Sequence, residues 1–67
     1  MTNNERSELE DRIRRLICQT RLRMPDIVRA FDHYPEREVR STVIGMVDGG
    51  PLELDGERYI AIRRQGG

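Results

Sequence analysis

The sequence predicts a small α+β domain: three helices followed by an antiparallel hairpin. Three observations carry this. Apolar residues recur at helical spacing in three separate segments. Gly49-Gly50 stops the third of them, because glycine accepts the left-handed conformation that ends helices. From Pro51 to Ile62 the pattern changes to short alternating runs around Asp55-Gly56, the signature of two strands and a turn.

The first helix is predicted over 8–19. Leu9, Ile13, Leu16 and Ile17 fall at i, i+4, i+7 and i+8 and form one apolar stripe. Ser7 and Glu10 fit a capping box, so 1–6 is expected to be a disordered tail. Glu8–Arg12, Glu10–Arg14 and Asp11–Arg15 are i,i+4 pairs with the acid first. They read as a solvated face held by ion pairs. Cys18 is expected to pack as a small apolar residue beside Ile17.

The second helix opens at Pro25-Asp26, with Pro25 in the first turn and Asp26 at the positive end of the dipole. Ile27, Val28 and Phe31 form its apolar face. Asp32-His33-Tyr34 breaks it, since Tyr34 precedes a proline. His33 reads as a spacer in that turn.

The third helix, 35–48, has a start, a period and a stop. Pro35 suits the first turn, and Glu36 and Glu38 complement the dipole. Val39, Val43, Met46 and Val47 form the apolar stripe. The opposite face carries Arg37, Arg40, Ser41 and Ile44. Gly45 lies inside the helix at a cost of about 1 kcal/mol relative to alanine. The expected reason is a close helix crossing.

The hairpin, 52–62, leaves two registers open. Placing Leu52, Leu54, Ile60 and Ile62 on one inner face asks for the three-residue loop Asp55-Gly56-Glu57, with Leu52 opposite Ile60. The Asp-Gly pair favours a two-residue turn, with Leu52 opposite Tyr59. The expected core is Leu52, Leu54 and Ile60 together with the three helical stripes and Leu22.

A helix, a glycine stop and a hairpin directly after it resemble the second half of a winged helix-turn-helix domain. This is a large superfamily that includes small stand-alone phage, plasmid and bacterial regulators. The resemblance implies an order α-β-α-α-β-β. Its first strand falls on Thr20-Arg21-Leu22-Arg23-Met24 and pairs with the wing. One departure stands out: the turn before the third helix holds Asp32 and His33 where many members have glycine. On this reading the domain runs over 7–63 and 64–67 is a flexible tail.

Composition narrows the function. Acidic and basic residues number 12 each, and the net charge is zero. The basic residues are all arginine, a forked donor suited to carboxylate or phosphate, though a GC-rich genome explains the same bias more simply. One cysteine excludes an internal disulfide and favours a reducing, cytoplasmic home. No secretory signal or membrane-spanning run is expected, and no metal or other cofactor. No catalytic motif is present, so an enzyme is not expected.

Two binding readings remain. In the first, the resemblance places the third helix in the major groove of double-stranded DNA and makes the chain a transcriptional regulator. Arg37, Arg40 and Ser41 then read bases or phosphates, and Glu36 and Glu38 act as cytosine readers or repulsive specificity elements. Arg21, Arg23 and Arg58 contact phosphates, joined by Arg63 and Arg64. In the second, the scaffold is an adaptor or inhibitor that binds a protein through Ile44, Tyr59 and the wing. Neutral charge and the acidic Asp55 and Glu57 count against DNA; the Arg37/Arg40/Ser41 face counts for it. The chain is expected to be a monomer or weak homodimer.

Overall fold

The computed structural model describes residues 2–64. It contains three helices, α1 (Asn3–Gln19), α2 (Met24–Ala30) and α3 (Glu36–Val47), then two strands, β1 (Leu52–Leu54) and β2 (Ile60–Ile62). The strands form a two-stranded antiparallel sheet. This small α+β arrangement is compatible with a winged-helix-like layout.

α1 starts earlier than the periodicity suggests. Thr2 is the N-cap, and its hydroxyl accepts the Glu5 N–H at 3.2 Å. Thr2 thus satisfies an orphan amide, so the helix reaches back through Asn3 to Arg6. Those residues are the first turns of α1, not a disordered tail, and Ser7 is an exposed mid-helix residue instead of a cap. Arg12 pairs with Glu8 at 2.9 Å and Arg15 with Asp11 at 3.1 Å. Arg14 turns to Asp11 at 3.4 Å in place of Glu10. Cys18 is exposed and lies off the apolar stripe.

The expected strand at 20–24 shrinks to one bridge. Leu22 and Ile60 exchange backbone hydrogen bonds, at 3.3 Å from the Leu22 N–H and 2.7 Å from the Ile60 N–H. α2 begins at Met24, which leaves no room for a longer ladder. Arg23 caps α2, and its own N–H donates to the Asp26 carboxylate at 3.4 Å.

α3 ends where the glycines require. Gly49 takes a left-handed φ of +83°. A Cβ on Gly50 would collide with the Met46 backbone, so this close return of the chain needs a glycine there. Arg63 completes the end: its guanidinium donates to the carbonyls of Val47 and Gly50. Arg63 is therefore anchored to the end of α3 by two of its five N–H donors. The remainder of the expected tail, 65–67, lies outside the described residues.

The hairpin adopts neither predicted register. Leu52 faces Ile62, Glu53 faces Ala61 and Leu54 faces Ile60. The Asp55 N–H donates to the Tyr59 carbonyl, and the Arg58 N–H to the Asp55 carbonyl. The loop is thus Gly56-Glu57-Arg58, three residues long but shifted by one, with Arg58 in the left-handed region at φ 66°. The Asp55 carboxylate causes the shift, because it accepts the N–H groups of both Glu57 and Tyr59 at 2.9 Å.

The core gathers Leu9, Ile13 and Ile17 of α1, Ile27 of α2, Val39, Val43 and Met46 of α3, Leu52 and Ile60. Leu16, Leu22, Val28, Phe31 and Val47 are half-buried. Leu54 is not core: it is 56% exposed, although it pairs with the buried Ile60 on the same face of the hairpin. Thr42 is fully buried instead, and its hydroxyl has no hydrogen-bond partner among the described residues.

Candidate nucleic-acid interface

The candidate residues fall into two groups. The first occupies the solvent face of α3. Glu36, Arg37, Arg40 and Ser41 are exposed there, followed by Ile44, Gly45 and Asp48. Their spacing sets them opposite Val39, Val43 and Met46, which anchor the helix to α1 and the hairpin. Glu38 lies at the margin and is half-buried.

Two of these side chains are already engaged. Arg40 donates to the Glu36 carboxylate at 2.8 Å, one turn back. Ser41 accepts a 3.4 Å hydrogen bond from the Arg6 guanidinium. Arg6 joins the group only in three dimensions. It belongs to α1 and stands 35 residues away in sequence, so no local signal could have found it. Among the described residues, Arg37 has no ion-pair partner.

Gly45 has a different environment from the one expected. An added Cβ would meet nothing within 4 Å. No helix crossing requires this glycine, so the backbone there is bare toward solvent.

The second group surrounds the hairpin loop. Tyr59 lies under both Arg21 and Arg23, whose guanidinium carbons stand 5.6 and 4.8 Å from its ring centroid. Arg21 also pairs with Asp55 at 2.9 Å. Some desolvation of the Asp55 carboxyl disfavours its charge. The N–H groups of Tyr59 and Glu57 and the Arg21 guanidinium outweigh it, and its pKa lies below the ordinary 3.8. Arg58 is exposed at the loop. Arg23 and Arg58 line one shallow hollow with Met24, Pro25, Leu54 and Ile60.

A second hollow adjoins it. Val43, Ile44 and Val47 of α3 face Met24, Leu54 and Ile60 across it, with Asp48 at its rim. The sequence points to Ile44 and the wing as a protein-binding surface but places Leu54, exposed here, in the core.

Among the described residues, no three His, Cys, Asp or Glu side chains gather as metal ligands would. No helix there is long and apolar enough to cross a membrane. Comparison with protein families, with curated proteins and with solved structures found no match.

Proposed function

We propose that the chain is a small DNA-binding regulator of the winged helix-turn-helix type, with α3 as the reading helix and the 52–62 hairpin as the wing. The carrying observation is the open face of α3. Arg37, Ser41 and the bare backbone of Gly45 share it, and the fold covers none of them. An exposed glycine in mid-helix costs stability without serving the fold. It does serve a partner that approaches the helix backbone closely, as a groove wall does.

The chemistry follows from the side chains. Arg37 presents a forked donor that matches guanine or phosphate. Arg40 reaches the same ligand by leaving Glu36, and an exposed pair of this kind holds it by only about 0–1 kcal/mol. Arg6 and Ser41 add donors at the flank. At the wing, Arg23 and Arg58 supply phosphate contacts, while Arg21 is the cation already satisfied by Asp55.

A titration of the purified chain against duplex DNA at low and physiological salt tests this reading. Arg37→Ala and Arg40→Ala should weaken binding to a preferred sequence and leave the thermal midpoint unchanged. Arg23→Ala should weaken binding to any duplex and lower the salt slope by about one. No binding even at low salt would discard the proposal.

A second reading has its own support. Ile44 and Leu54 are 60% and 56% exposed, and the net charge is zero. Both fit an adaptor or inhibitor that meets a protein through α3 and the wing. On that reading duplex binding is weak and indifferent to sequence.

A further inference from the structure

We infer that the apolar trough between α3 and the hairpin is covered by a second copy of this chain. The inference does not depend on the DNA reading. The trough consists of two hollows that meet on Met24, Leu54 and Ile60. Ile44 walls the first and Leu54 stands between them, and both are more than half exposed. Apolar side chains clustered in this way mark a surface that gains by losing water.

The charges choose the occupant. Asp48 stands on the rim of the first hollow, and Arg23 and Arg58 stand on the rim of the second. Among the described residues none of the three has an ion-pair partner. A two-fold rotation about an axis near Leu54 lays the first hollow of one copy over the second hollow of its mate. Asp48 of each then meets the opposing Arg23 and Arg58, and the contact is made twice. This is the self-complementary pattern of an isologous interface. Duplex DNA fits the trough poorly, since Asp48 repels phosphate and the floor is apolar. A foreign protein would have to reproduce the same acid-to-cation order, which a second copy carries by construction.

The size of the trough sets the strength. A stable interface covers about 800 Å² per partner, roughly a sixth of the 5055 Å² surface of this chain. The apolar trough supplies only the centre of such an area, so the dimer is weak and depends on concentration. The charge pairs set its orientation more than its affinity. Arg37 and Ser41 line neither hollow and stay outside the covered patch, whereas Arg23 and Arg58 are shared, so the dimer withdraws these two from duplex phosphate.

Sedimentation equilibrium of the full chain across the micromolar range tests this. The unaltered chain should pass from monomer to dimer as concentration rises. Leu54→Ser alters an exposed residue, so circular dichroism should be unchanged. It should raise the dissociation constant at least about tenfold, or about 1.4 kcal/mol. Asp48→Arg should weaken the dimer, and adding Arg58→Asp to the same chain should recover part of the loss. A chain that stays monomeric throughout overturns the proposal and leaves the trough to a different partner. A dimer indifferent to Leu54→Ser, or an Asp48→Arg loss that Arg58→Asp does not offset, overturns it too. The DNA reading fails on a separate readout, the Arg37→Ala titration.

Discussion

Arg63 holds the C-terminal end of α3: its Nε donates to the Gly50 carbonyl at 2.8 Å and its Nη2 to the Val47 carbonyl. Helix ends leave carbonyls without intrahelical partners, and a cation there also suits the negative end of the dipole. Arg63→Ala should lower stability by about 1 kcal/mol, measured by urea denaturation. Arg63→Lys should recover only part of it, because one ammonium replaces a fork aimed at two carbonyls.

Gly45 separates stability from binding. Its missing Cβ would meet open space, and its φ is not left-handed. Gly45→Ala should therefore stabilise the chain by up to about 1 kcal/mol through helix propensity. If a DNA wall approaches α3 there, the same methyl group should weaken duplex binding. A thermal melt and a titration on one variant read both effects.

Thr42 is buried, and its hydroxyl has no hydrogen-bond partner among the described residues. Thr42→Val keeps the shape and the β-branch and removes the orphan polar group. Stability should rise by about 1 kcal/mol. Val43→Ala, one residue on, should do the reverse and cost about 1–3 kcal/mol through lost burial and a cavity. Chemical denaturation of the two variants side by side checks the assignment of this helix face.

Asp55 gives the hairpin an acid-sensitive element. Its pKa is lower in the folded chain than the ordinary 3.8. Its contribution to stability is therefore complete above that ordinary value and is lost as pH falls through the folded value. Asp55→Asn keeps an acceptor for the Glu57 and Tyr59 N–H groups but has no charge to titrate. The stability difference between parent and variant should shrink as pH is lowered through this range, followed by thermal melts at stepped pH.

The sequence by itself determined what is local. Helix stripes, the Gly49-Gly50 stop and the position of the hairpin all follow from periodicity and backbone freedom within a few residues. The buried apolar positions of the core cluster were all legible in this way. The solvent face of α3 was legible for the same reason, since it is the complement of the buried stripe. What only the tertiary structure decided lies where two local signals compete or where distant segments meet. Ser7 fits a capping box, yet Thr2 caps α1 and the helix starts at Asn3. Asp55-Gly56 suggested a two-residue turn, yet the Asp55 carboxylate bound two backbone N–H groups and moved the loop by one residue. Arg6 beside Ser41, Arg63 on the end of α3, and Arg21 and Arg23 over Tyr59 join residues far apart in the chain. Period and propensity act along the backbone and carry no information about such contacts; packing of the helices against the hairpin creates them.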